Sequence, residues 1–394
     1  MTSMPPFHAA VLLLALFAPA AQAAPYTPAT DNELVQRLPA RWDADARRQR
    51  AALARDPQQL PLALATARAA IDRARLAGDP RDLGLAQAAL APWWSLATPP
   101  PSVLLLRATV RQSQHQFDAA LADLDQLLAR PDAPLPVLAQ AGLTRVTVLQ
   151  VTGRLAAAAE ACDALQAPRF QPLGASLSIP ARACAAELRS LRGEPVRAAA
   201  ELTTLAKQAP GDRWLALLRA ELAERLGDHP AAEQRFREAT GDDADVYTLA
   251  ARADWLLERG RDRDALALLP ARDDDADALR LRRAIALHRL HDPQAAVLTA
   301  DLLARFAAAR ERGETGHARE EARLALDVLA QPGRALALAR ENWAQQQEPA
   351  DAVLLLRAAL AAGRPADALP LRDWAHDPAA IDRRLAADWH RVRK

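Results

Sequence analysis

Residues 214–239 read WLALLRAELAERLGDHPAAEQRFREA. From Leu215 to Leu226 the stretch is built from Leu, Ala, Arg and Glu alone, all strong helix formers. Gly227-Asp228-His229-Pro230 then interrupts it. Glycine suits the left-handed residue that closes a helix, aspartate caps the next one, and proline is tolerated in a first turn. The stretch therefore reads as helix, stop, helix. One such hairpin is too small to bury its own apolar stripe, so it needs neighbours of the same kind.

The neighbours are present. Related stop signals fall at Gly78, His115, Gly153, Gly193, Gly227, Gly260, His291, Gln331 and Gly363, with gaps of 31 to 40 residues. Five residues after each comes a small or aliphatic residue: Leu83, Ala120, Ala158, Ala198, Ala232, Ala265, Ala296, Leu336 and Ala368. A helical pattern with this period defines a solenoid of helix pairs, in which small residues let neighbouring helices approach closely. Breaks between the pairs are marked by Pro131 to Pro136, Pro168 to Pro180, Pro210-Gly211-Asp212 and Glu348-Pro349, the second being the least helical stretch. The unit between His291 and Gln331 is the least regular, with a long second helix from about Gln294 to Arg312.

Composition agrees with helix throughout. Half of the 394 residues are hydrophobic and only 4% are aromatic. Fifty basic against 49 acidic residues leave a net charge of +1, which gives no global field for nucleic acid or an anionic membrane. Residues 9–20 form a short apolar run followed by Ala21-Gln22-Ala23, the small-x-small pattern of a signal-peptide cleavage site, although the segment before the run holds no Lys or Arg. The expectation is an exported, soluble protein, periplasmic or secreted, with no transmembrane helix once residues 1–23 are removed.

Val103-Leu-Leu-Leu-Arg-Ala-Thr followed by His115-Gln-Phe-Asp-Ala-Ala-Leu, and Trp214 to Ala239 with Leu218-Arg219-Ala220, Gly227, Ala232, Phe236 and Ala239, resemble tetratricopeptide repeats. Ala186, Gly193, Ala198 and Pro210 fall at the same spacing. The large aromatic residue of the family's first helix is mostly lost, and several units exceed the usual length. The resemblance implies an all-α fold, a right-handed α-solenoid of about nine such hairpins. It covers residues 59–376, with a capping helical segment at 24–58 and a C-terminal capping helix at 377–394. Ile381 to Val392 is amphipathic and suits that last role.

Several residues are candidates for chemistry. Cys162 in one second helix and Cys184 in the next first helix form a disulfide on the reading of an exported chain; the alternative is two buried thiols acting as small hydrophobes. Arg107, Arg145, Arg219, Arg252 and Arg283 each precede a stop signal by eight residues, forming a ladder along the stack. Such a ladder either grips carboxylates and phosphates or pairs with acids of neighbouring helices. The balanced charge and the flanking leucines favour the paired reading. Trp93 and Trp94 either fill gaps in the core or offer a stacking face for a sugar or peptide, and core packing is favoured. His288 and His291 have metal-capable spacing but no third ligand nearby, and Asp273-Asp274-Asp275 lacks the spacing of a calcium loop.

By the resemblance, the first helix of each pair lines a groove that would include Gln112, Gln150, Glu187, Glu221, Asp254 and His288. A clamp for an acidic chaperone tail needs Lys and Asn there, and these helices lack that set. No phosphate loop, nucleophile elbow or metalloprotease motif occurs. The sequence thus points to no enzyme and no cofactor, and to a protein or peptide partner held by a scaffold of the cell envelope. The alternative is a glycan or cell-wall fragment held by Trp93, Trp94 and the arginine ladder.

Overall fold

Left-handed backbone sits where the stop signals predict it. Gly78, His115, Gly153, Gly193, Gly227, Gly260, His291 and Gly363 all have positive φ, between 57° and 94°. The residue after most of them donates its N–H to the carbonyl five residues back, as in Asp228 N to Ala223 O at 2.9 Å and Asp292 N to Leu287 O at 2.9 Å. Those bonds satisfy carbonyls that the end of a helix leaves free. The ninth turn slips by one residue. Ala330, not Gln331, takes the positive φ of 51°, and Gln331 N reaches back six residues to Ala325 O at 2.8 Å.

The computed structural model describes residues 44–392 apart from residues 243, 270–275, 315 and 376. The signal-peptide segment and Asp273-Asp274-Asp275 lie outside the described residues. The helices are α1 (Ala44–Arg55), α2 (Leu60–Ala77), α3 (Pro80–Ala89), α4 (Ala91–Trp94), α5 (Pro101–Ser113), α6 (Phe117–Leu128), α7 (Leu135–Val151) and α8 (Leu155–Ala164). A 3-10 turn, Pro168–Leu173, leads to α9 (Ala175–Leu191), α10 (Pro195–Gln208), α11 (Arg213–Arg225), α12 (His229–Ala239), α13 (Val246–Leu257), α14 (Asp262–Leu268), α15 (Asp277–Arg289) and α16 (Gln294–Glu311). There follow α17 (Ala318–Asp327), α18 (Pro332–Trp343), α19 (Pro349–Ala361), a 3-10 turn at Pro365–Ala368, α20 (Leu371–Trp374), α21 (Pro378–Ile381) and α22 (Arg383–Trp389). Among the described residues there is no strand.

Nine hairpins follow one another among these residues: α2–α3, α5–α6, α7–α8, α9–α10, α11–α12, α13–α14, α15–α16, α17–α18, and α19 with its 3-10 turn. Each first helix packs on its own second helix and on the first helices of the adjoining hairpins. The fold is an all-α solenoid of helix pairs. The small residue five places after each stop signal is buried in eight units, Ala120, Ala158, Ala198, Ala232, Ala265 and Ala368 among them. The exception is Ala296, which is exposed while Ala295 takes the buried place. It belongs to the irregular unit, whose second helix α16 is 18 residues long.

Two local expectations are corrected. Pro180 does not end the poorly helical stretch, because α9 starts at Ala175 and runs through it. The C-terminal cap is not one helix from Ile381 to Val392. Asp382 breaks it, closing α21 and capping α22 by accepting from Arg384 N at 2.9 Å.

The hairpins also touch across the stack. A Cβ on Gly78 would meet Ala276 Cβ at 2.6 Å and Val246 Cγ2 at 3.2 Å, so hairpin one abuts hairpins six and seven. His115 of hairpin two stands against Gly316, just ahead of α17 in hairpin eight. Gln347, just ahead of α19 in hairpin nine, donates its N–H to Val151 O at 2.7 Å in hairpin three. Gly227 of hairpin five meets the Arg383 side chain at the start of α22. The offset is about six hairpins in the first three cases, and α22, beyond hairpin nine, continues the series. The C-terminal ends of early first helices face the N-terminal ends of later ones, so their dipoles run head to tail, and Val151 O finds its partner there. One superhelical turn therefore rests directly on the next within residues 44–394, which form a single compact unit.

Candidate functional site

Stacking the turns converts the inner face of the solenoid into a cavity of about 580 Å³. All nine first helices contribute to its wall, the second helices contribute nothing, and Arg384 reaches in from α22. The volume lies in the range of sites that hold small molecules or a few residues of peptide. Of the six residues expected in the groove, Gln150, Glu187, Glu221 and Asp254 line this cavity. Gln112 is not among its lining residues, its neighbour Ser113 being there instead, and His288 is exposed elsewhere.

Glu187, Glu221 and Asp254 share one register, six residues before the left-handed glycine of their hairpins. Their surroundings differ. Asp254 Oδ2 accepts from Arg282 Nη2 at 2.6 Å and Asp254 Oδ1 from Arg323 Nη1 at 2.5 Å. Burial would raise this carboxyl, but the two guanidinium groups outweigh it and hold it down at about 2. Glu187 accepts from the neutral amide Gln150 Nε2 at 2.9 Å, and burial keeps its carboxyl above the ordinary value. Glu221 accepts from Tyr247 Oη at 2.8 Å. Burial, reinforced by the like charge of Glu187, pushes Glu221 up to about 7.

A second charged group sits one turn further along α11. Arg384 lies 3.4 Å from Glu224 Oε1, 3.3 Å from Glu258 Oε1 and 2.6 Å from Asp382 Oδ2. Burial, aided by Glu258 and Asp382, raises the Glu224 carboxyl to about 8 despite Arg384. Arg384 itself, although burial works against its charge, is held protonated by the three acids. Arg319 completes the wall, bonding Asp351 Oδ1 at 2.6 Å and Glu348 Oε2 at 2.5 Å.

The arginine ladder lies off the cavity. Arg107 pairs with Asp123 at 2.7 Å, Arg145 with Asp125 at 2.7 Å, and Arg283 donates to Leu269 O. Arg219 and Arg252 have no hydrogen bond or ion pair among the described residues; Arg219 lines a separate hollow beside Arg235 and Glu238. Trp93 and Trp94 are half-buried against the core of the first two hairpins, with Arg111 over the Trp94 ring at 5.9 Å.

The disulfide expectation is corrected. Cys162 and Cys184 are both free thiols. Helices α8 and α9 touch, but Cys162 Sγ donates to Ala181 O at 3.1 Å, about one helical turn short of Cys184. Burial raises the Cys162 thiol to about 11 and the Cys184 thiol further still, so neither is a ready nucleophile. Among the described residues no three His, Cys, Asp or Glu are placed to hold a metal, and no helix is long and apolar enough to cross a membrane.

Sequence reasoning missed Arg225, Tyr247, Arg282, Arg319 and Arg323, all on the cavity wall. Arg282 was one residue away from the ladder position Arg283, and the helical rotation of about 100° per residue separates inside from outside.

No family model matches the chain, and no curated protein matches it in sequence. Among solved structures it is similar to tetratricopeptide repeat proteins. A tetratricopeptide repeat protein from Parabacteroides merdae is 17% identical, covering 66% of this chain and 98% of that one at a TM-score of 0.36. The tetratricopeptide domain of P58(IPK) is 17% identical over 81% of this chain and 92% of that one, with a TM-score of 0.20. The Cut9–Hcn1 hetero-tetramer of APC/C is 11% identical over 86% and 64%, with a TM-score of 0.45. The solenoid assignment itself rests on the nine paired helices and their left-handed turns.

Proposed function

We propose that the protein is a non-catalytic scaffold of the bacterial cell envelope that binds a segment of a protein partner in its central cavity. The observation that carries this reading is the convergence of all nine first helices on one charged cavity of about 580 Å³. A wall assembled from nine rigid, mutually packed helices is preorganised, so binding costs little ordering of the receptor. The envelope location is supported by the apolar run at residues 9–20 and the Ala21-Gln22-Ala23 site behind it. The glycan reading gains no support, since Trp93 and Trp94 are engaged with the core.

The test uses a photo-crosslinking amino acid placed at Ser113, exposed on the cavity wall, or at Val196, 76% exposed on a second helix. In living cells, a discrete protein adduct is expected from position 113 and none from position 196. Sequencing of the mature N-terminus is expected to start at Ala24. Adducts absent from position 113, or equal at both positions, refute the binding reading, and an unprocessed N-terminus refutes the export reading.

A further inference from the structure

The carboxylates of the cavity wall can be sorted by what neutralises each. Asp254 has Arg282 and Arg323, Glu348 has Arg319, and Glu224 and Glu258 share Arg384. Glu320 stands 3.8 Å from Arg282. Only Glu187 and Glu221 have neutral hydrogen-bond partners alone, Gln150 and Tyr247. Arg225 lies near both, yet it donates Nη2 to Ser190 Oγ at 2.9 Å and forms no ion pair with either among the described residues.

The same wall shows what its carboxylates take. Asp254 occupies the equivalent position on the next first helix and is held by two guanidinium groups from elsewhere in the chain. Glu224, one turn beyond Glu221, receives the guanidinium of Arg384, which α22 inserts from outside the repeat array. Glu187 and Glu221 are thus two rungs of one ladder that have no ion-pair partner among the described residues, the nearby Arg225 being bonded to Ser190 instead. Tyr247 is 52% exposed beside Glu221 and offers aromatic surface of the kind on which a cation stacks. Leu191 and Leu218, one turn from Glu187 and Glu221 on their helices, line the cavity with Val353 and Leu354. That apolar surface suits side chains flanking a cation better than a bare amine.

We propose that Glu187 and Glu221 form a two-carboxylate seat for the guanidinium or ammonium of an arginine or lysine side chain on the partner's peptide segment. This rests on the reading of the cavity as a protein-binding site. The two carboxylates are buried without an ion-pair partner among the described residues, at a cost to the folded protein, so a ligand that fills the seat recovers that cost.

The experiment titrates the full chain with acetylated, amidated leucyl-arginyl-leucine by calorimetry, beside the same peptide carrying citrulline, a neutral isostere, and beside agmatine. Wild type is expected to bind the arginine peptide at least tenfold more tightly than the citrulline peptide or agmatine. The Glu187→Gln/Glu221→Gln variant is expected to lose at least tenfold in affinity for the arginine peptide while its thermal midpoint stays level or rises. A purely structural role would lower the midpoint. Equal affinity of the two peptides, equal affinity of the two proteins, agmatine binding as tightly as the peptide, or no binding by wild type overturns the seat. A crosslink from position 113 that persists undiminished in the double variant overturns the seat and leaves the protein-binding reading standing; no crosslink in either protein overturns that reading itself.

Discussion

Ala330 holds the left-handed backbone, φ 51°, without the freedom of glycine. Its Cβ crowds the neighbouring carbonyl in that conformation, a cost of about 1 kcal/mol. The residue is exposed, so no packing depends on its methyl group. Ala330→Gly is therefore expected to raise stability by about 0.5–1 kcal/mol in urea denaturation, even though glycine also loosens the unfolded chain. Glu221 makes a prediction of the opposite kind. Its carboxyl titrates near 7 in the folded protein, raised by burial and by Glu187 and Glu348 against the pull of Arg225 and the Tyr247 hydroxyl. The folded state thus binds a proton that the unfolded state has already released at mildly acidic pH. The stabilisation is complete below about pH 4.5, fades as pH rises through 7, and is gone above about 8. Between pH 5 and pH 8, wild type is expected to lose on the order of 1–3 kcal/mol relative to Glu221→Gln in urea midpoints extrapolated to water. A cation in the seat favours the ionised carboxylate, so peptide affinity should run the other way and strengthen across the same interval.

At the scale of the helix and its turn, two glycines of the same conformation separate backbone strain from packing. Gly193 has φ 94° and open space where a Cβ would stand. Gly153 has φ 72°, and a Cβ there would meet the Gln347 side chain, with Oε1 at 2.0 Å and Cβ at 3.2 Å. Gly193→Ala is expected to cost about 1 kcal/mol, the strain alone. Gly153→Ala is expected to cost more, about 2 kcal/mol, because the Gln347 amide must swing aside and its Cβ give way as well; equal losses from the two variants in denaturant titrations would show that this contact contributes nothing. The turns were also the most legible part of the sequence. Glycine followed by aspartate and proline states a helix end in purely local terms, and eight of the nine stop signals carry the positive φ themselves. Gln331 misled by one residue because its turn admits an extra residue that nothing local announces. The cavity was half legible: Glu187, Glu221 and Asp254 follow from their shared register, whereas His288 stands three residues before its stop signal, as Gln150 and Glu224 do, yet is exposed off the cavity wall, a difference that nothing local announces.

At the scale of the whole array, the contacts that matter most were invisible in the repeat. Nothing in the sequence near Val151 names Gln347, and nothing near Glu224 names Arg384 from α22. Those pairs depend on the rotation accumulated over about six hairpins, a quantity that no single unit encodes. They also change how the array should unfold. A simple solenoid, each unit touching only its neighbours, frays progressively from its ends. Here hairpins one, two and three are each tied to units much later in the chain. Denaturation followed by probes near hairpins two and eight is therefore expected to give coincident midpoints, and separate midpoints would show the inter-turn ties to be weak.

The stop signal at Gly153 and the segment at Gln347 meet only because a fixed number of hairpins lies between them. Repeat arrays elsewhere gain and lose modules by duplication and deletion with little penalty, since each new module finds the same neighbours. This chain has surrendered that freedom. Inserting or excising one hairpin between the third and the ninth would rotate every later module past its counterpart, strand the α7 carbonyl without its donor and scatter the cavity wall, so its length is as tightly specified as the tooth count of a gear.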